Sequence, residues 1–156
     1  MIVTLLILLS ISFAADWNGI YSSEPTSPII SLEDVSGSTT TIKLSLDGYY
    51  SNIIDLNETT ATKIFIDGGA SILKEGFPDL PSISRSLIIP DESNMSIRVI
   101  DQEYIEIENI DIIPSKGNLS RDIDPSSIDY TWSAIYNKDS FYPHSLAYLR
   151  DPYILR

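Results

Sequence analysis

Apolar side chains in this chain recur at every second position in short runs, and each run stops at a glycine, a proline or an acidic turn. This alternation constrains the fold more than any other feature. A period of two sends successive side chains to opposite faces of a strand and denies a helix its continuous apolar stripe. Thr41-Ile42-Lys43-Leu44-Ser45-Leu46 alternates and ends at the turn dipeptide Asp47-Gly48. Thr62-Lys63-Ile64-Phe65-Ile66 is β-branched and aromatic, and Asp67-Gly68-Gly69 stops it. Ser86-Leu87-Ile88-Ile89 ends at Pro90, and Ile110-Asp111-Ile112-Ile113 ends at Pro114. Between them, Met95, Ile97 and Val99 share one face of a predicted strand over 95–100, and Ile105 and Ile107 one face of another over 104–108. The link Asp101-Gln102-Glu103 suits a hairpin between these two. No window has a helical period, and Asp124-Pro125-Ser126-Ser127-Ile128 offers at most a helical turn with proline near its first position. The expected fold is all-β, an antiparallel β-sandwich of open strand count.

The two flanks of this core differ from it. Residues 15–37, rich in Ser, Pro and acidic side chains with Pro25 and Pro28 close together, read as an extended lead-in. Beyond Tyr130 the chain becomes loop-rich and aromatic-rich. Trp132, Tyr136, Phe141, Tyr142, Tyr148 and Tyr153 crowd in with Pro143 and Pro152, a composition that clamps an irregular segment onto a sheet or a partner. The same rings could instead form a carbohydrate platform.

Charge and residue inventory exclude much. Ten Lys and Arg against 22 Asp and Glu leave a net charge of −12 over 156 residues, which repels phosphate and anionic headgroups, so neither nucleic acid nor a lipid surface is an expected partner. With no cysteine there is no disulfide, thiolate metal site or cysteine nucleophile. The single histidine, His144, gives no multi-histidine zinc site and makes a Ser-His-Asp triad improbable; it reads as a packed or exposed side chain. The carboxylates include no calcium loop with its distal Glu. No cofactor and no metal are expected, and the chain is not read as an enzyme. Asp79 reads as a turn or capping residue beside Gly76, Pro78 and Pro81. Asn57, Asn94 and Asn118 begin glycosylation-type tripeptides too loose to carry weight alone.

Residues 2–13 form an apolar run too short to span a bilayer comfortably, and it ends in small residues, with Ser12 and Ala14 at the positions a signal peptidase prefers. Residues 1–14 are thus read as a signal peptide cleaved after Ala14, giving a secreted or extracellular chain with no membrane contact after cleavage. A buried strand or membrane anchor is the competing reading, favoured by the missing Lys or Arg ahead of the run.

Four segments in order carry a family resemblance: KEGFPDLP at 74–81 followed by SRSL at 84–87, PSKGNLSR at 114–121, YNKDSFYP at 136–143 and DPYILR at 151–156. Together they resemble the propeptide of gingipain-type cysteine endopeptidases, from about Gly37 onward. The resemblance implies that 38–156 is a propeptide β-sandwich that assists folding of a catalytic domain and keeps the zymogen inactive, with that domain as partner in cis or in trans. The family sequence continues past the Asp-Pro-x-Ile-Leu-Arg stretch, so the resemblance also implies a prodomain incomplete at its carboxyl end, a fragment or the product of a split gene. In arginine-specific members the arginine closing the Pro-Ser-Lys-Gly-x-x-Ser-Arg stretch blocks the peptidase's specificity pocket. The matching position is Arg121, with Lys116 a lesser candidate for a lysine-specific relative. Arg150 and Arg156 are candidate processing sites. Read without the family, Arg121 is an ordinary surface arginine, and the chain an adhesion or carbohydrate-binding module.

Overall fold

The computed structural model describes residues 15–89 and 94–151. Seven strands and two short 3-10 turns form among them. Strand β1 (Asp16–Gly19) pairs antiparallel with β4 (Gly48–Asp55), which pairs antiparallel with β5 (Thr60–Phe65), giving a sheet of order β1-β4-β5. Strands β2 (Ile29–Ser36) and β3 (Thr39–Ser45) make a separate hairpin, and β6 (Ala70–Ser71) pairs with β7 (Pro81–Ser82). The all-β, antiparallel class expected from the alternation is what forms.

Local chemistry explains the elements. Gly37 takes φ +58° between β2 and β3, a left-handed turn that glycine enters without a Cβ penalty. A register shift between Leu32 and Asp34 keeps Val35 on the face of Ile30 and Leu32, because one extra residue restores the period after a break. Gly48 lies against the Trp17 ring, where a Cβ would collide, and Trp17 meets Tyr50 edge-on at 5.0 Å.

The sheet does not end at β5. Thr62 N–H donates to the Asp111 carbonyl at 2.6 Å and Ile113 N–H to the Thr62 carbonyl at 2.9 Å, so residues 111–115 run parallel to β5. On its other edge that segment pairs antiparallel with 76–79: Ser115 N–H donates to Phe77, Gly76 N–H to Ser115 and Asp79 N–H to Ile113. Here the core sits. Ile113 is 1 % exposed, Pro114 and Ser115 are buried, and Ala61 of β5 is buried too.

Several strand expectations need correction. Residues 16–37, read as a lead-in, carry β1 and β2; proline and serine dominate the composition there, yet Trp17 and the spaced Ile30, Leu32 and Val35 have partner strands. The described residues of 86–89, and residues 95–100 and 104–108, form no ladder, and Ile97, Val99, Ile105 and Ile107 are exposed; no hairpin joins them. Alternation records which side chains share a side, but a strand also needs a neighbouring edge of free N–H and C=O groups. Pro114 does not end the 110–113 run; pairing continues through Ser115. Asp79 does sit in a turn, between Pro78 and Leu80, whose N–H donates to the Pro78 carbonyl at 2.9 Å, but it does more there: it is 7 % exposed, and Lys63 Nζ stands 3.2 Å from its Oδ2. The helical turn anticipated near Asp124 is the 3-10 turn Pro125–Ser127.

The Lys63 to Asp79 pair ties β5 to the 76–79 turn across the buried segment. Lys63 is about a third exposed and can rehydrate, whereas Asp79 cannot. Lys63→Met should therefore cost more, about 2–3 kcal/mol, by leaving a buried carboxylate unpaired, than Asp79→Ala at about 1–2 kcal/mol. Urea unfolding midpoints of the two variants check the order.

Candidate functional site

The loop that leaves the buried segment holds the residues singled out by the sequence. Pro114 and Ser115 fix its start, and the Ser115 hydroxyl accepts from Gly117 N–H at 3.2 Å. Gly117 has φ +80°, and a Cβ there would come within 3.2 Å of the Glu75 Cβ, so this bend requires glycine. The chain then runs outward to a turn closed by Ile123 N–H donating to the Ser120 carbonyl at 3.1 Å. Arg121 and Asp122 are its two central residues, both exposed. No hydrogen bond or ion pair joins the Arg121 guanidinium to another described residue.

The return limb is capped and tied. Asp124 Oδ1 accepts from Ser126 N–H at 2.9 Å, capping the 3-10 turn Pro125–Ser127. That bond, the Ser126 hydroxyl and the Lys116 charge hold the Asp124 carboxyl below the usual range. Lys116 Nζ donates to the Pro125 carbonyl at 2.7 Å and sits 4.1 Å from the centre of the Tyr130 ring. A shallow groove floored by Lys63, Leu73 and Asp79 lies beneath the loop.

Beyond it, the aromatic segment clamps the other side of the same junction. Ser133 N–H donates to the Gly76 carbonyl at 2.9 Å, and the Tyr136 hydroxyl donates to the Ile112 carbonyl at 3.0 Å. Trp132 stacks edge-on with Tyr136 at 4.5 Å, Tyr142 lies 5.3 Å from Phe77, and Lys74 covers Phe77 at 3.6 Å. Burial, then the nearby Asp79 charge, pushes the Tyr136 hydroxyl well above the ordinary tyrosine value and raises that of Tyr142.

A family model for Propeptide_C25 matches residues 21–156. The chain belongs to this family. Gingipain R1 of Porphyromonas gingivalis is 33 % identical over 125 residues, 80 % of this chain and 13 % of that protein. Gingipain R2 of Porphyromonas gingivalis is 29 % identical over 150 residues, 94 % of this chain and 20 % of that protein. The chain thus spans at most 20 % of the length of these relatives. The solved complex of Porphyromonas gingivalis RgpB pro- and mature domains superposes with a TM-score of 0.75 at 31 % identity, covering 81 % of this chain and 66 % of that one. A structure addressing zymogenic latency of gingipain K from Porphyromonas gingivalis superposes at 0.62 with 16 % identity, over 84 % of this chain and 75 % of that one, and shares the fold.

In this Propeptide_C25 chain the two basic candidates share one loop but differ in state, Arg121 projecting and Lys116 tied down. Arg150 is exposed and donates to the Ser84 hydroxyl at 3.2 Å; Arg156 and Ala14 lie outside the described residues. His144, Asn57, Asn94 and Asn118 are exposed. Lys116 as a loop tie escaped the sequence reading, because its partners lie far along the chain and no local pattern marks them.

A folded-state tyrosine pKa above its unfolded value makes the stabilisation complete below about pH 10 and lost as pH rises further, since the unfolded chain then releases a proton the folded one keeps. Alkaline unfolding should consequently be steeper in the native chain than in Tyr136→Phe. At neutral pH that variant should lose about 1 kcal/mol with the bond to Ile112. Denaturant melts at neutral pH and above pH 10 read both effects.

Proposed function

We propose that this chain is the amino-terminal propeptide of a secreted gingipain-like cysteine endopeptidase, and that it assists folding of the catalytic domain and occludes its active site. Membership of the propeptide family and the likeness to a pro- and mature-domain complex support the partner. The observation that carries the inhibitory reading is the placement of Arg121 at the apex of a turn, exposed and uncommitted, on a loop rooted in the most buried of the described residues. A guanidinium presents a planar fork of donors that a pocket carboxylate accepts in parallel. Lys116 is the weaker candidate for that role, because its ammonium already serves the Pro125 carbonyl and the Tyr130 ring.

Under this reading residues 1–14 are a signal peptide, the propeptide module put at 38–156 by the resemblance starts earlier with β1 and β2, and Arg150 and Arg156 are processing sites. The carbohydrate-binding alternative has less behind it. Tyr136 and Tyr142 are engaged with Ile112 and Phe77, and Trp132 with Tyr136, so these rings are spent on packing the junction and on one another.

Inhibition of an arginine-specific gingipain catalytic domain tests the reading. Arg121→Ala should weaken it by about 1–3 kcal/mol, the cost of stranding a pocket carboxylate without its charged donor. A Ki that does not change with Arg121→Ala would remove Arg121 from the pocket.

A further inference from the structure

Occlusion by a substrate-like arginine raises a chemical problem. A residue that fills the specificity pocket also presents the peptide bond that follows it, here the bond between Arg121 and Asp122. Hydrolysis would add the oxygen of water to the Arg121 carbonyl carbon and return a proton to the Asp122 nitrogen. An inhibitor must make that step slow, or keep the two new ends together once it has occurred.

The loop has a device suited to this. Arg121 and Asp122 occupy the centre of the turn closed by Ile123 and Ser120, so presenting the bond in extended form requires the turn to open. Opening spreads the outgoing and returning limbs, and Lys116 ties those limbs together. Its Nζ holds the Pro125 carbonyl at 2.7 Å, directly after the Asp124 cap, and its position over Tyr130 engages the strand of chain leading to the aromatic clamp. On the outgoing side, Lys116 is the residue next to buried Ser115, so the tie is anchored in the core. Restricting a loop before binding lowers the ordering cost paid on association, and it also denies the peptidase an extended segment.

We propose that Lys116 is a positioning residue that braces the Arg121 loop against opening, and so makes the chain an inhibitor and not a substrate. This rests on the reading of Arg121 as the pocket residue. The charged groups around the ammonium agree with a fixed place for it: Asp124 lies on the returning limb, and Asp79, paired with Lys63, on the floor of the groove.

The test uses the 156-residue chain with an arginine-specific gingipain catalytic domain, reading Ki, intactness by mass spectrometry and thermal unfolding together. Lys116→Met keeps the stem over Tyr130 and removes the donor. It should raise Ki roughly tenfold, the factor equivalent to about 1.4 kcal/mol, and the variant should be cut between Arg121 and Asp122 while its melting temperature stays near that of the native chain. Lys116→Arg should restore both tight inhibition and resistance to cutting. Native-like inhibition by an uncut Lys116→Met would overturn the proposal. Weaker inhibition without cutting would also overturn it, because Lys116 would then contact the peptidase directly. Failure of Lys116→Met to fold would assign Lys116 to the fold at large and overturn it too. Arg121→Ala separates the two layers: if silent, it removes the pocket reading and the brace with it, whereas a strong Arg121 effect beside a silent Lys116→Met removes the brace alone.

Discussion

Everything in this chain leans on one segment, residues 111–115, hydrogen-bonded along both edges. Thr62 holds it on one side and the 76–79 turn on the other, so a stretch that is formally a pair of isolated bridges becomes the centre of the molecule. The Ile113 and Ser115 amides and the Asp111, Ile112, Ile113 and Ser115 carbonyls are hydrogen-bonded in place, which offsets much of the cost of taking this segment out of water. Gly76 and Gly117, both left-handed, allow the chain to enter and leave this junction sharply. The Lys63 to Asp79 pair, the Tyr136 hydroxyl and the Ser133 amide are fastenings around it.

That arrangement fixes the base of the loop bearing Arg121. A surface loop normally inherits the freedom of its ends, yet this one starts two residues after the most buried side chains and returns into an aromatic clamp. Rigidity at the base and exposure at the tip are separate properties. Here the first comes from burial and the second from a turn of polar and charged residues, Ser120, Arg121 and Asp122, that have no apolar surface to hide.

The legible part of the fold was the part whose partners are close in sequence. Strands β3 and β5 announced themselves by alternation and by Asp-Gly stops, and the capped turn at Asp124 by its proline. The central segment was legible as the run Ile110–Ile113 but its pairing was not, because its parallel partner Thr62 and its antiparallel partner Phe77 lie far upstream and no two-residue period reports either. The opposite error came from residues 95–108, whose pattern is strand-like but which have no ladder. Asp79 was underestimated for the same reason: nothing local reveals that the chain folds a lysine of β5 over it. At the candidate site, family likeness singled out Arg121, while elementary chemistry alone would have passed over it as one more solvated cation. The tie made by Lys116 lay beyond both.

Net charge sets the remaining constraint on how such a loop works. At −12 the chain is surrounded by a negative field, in which an uncommitted arginine at a turn apex is a local exception. Under the proposed reading, a carboxylate-lined pocket approaching the chain is repelled by most of its surface and attracted at that apex. Orientation is thereby selected before contact, by repulsion of the wrong faces as much as by attraction of the right one. Lysines 63 and 116 do not blur this focus, because the first is neutralised by Asp79 and the second is drawn down toward Pro125, Tyr130 and Asp124. Holding Lys116 down leaves Arg121, beside the exposed Asp122, as the positive charge at the apex of this loop.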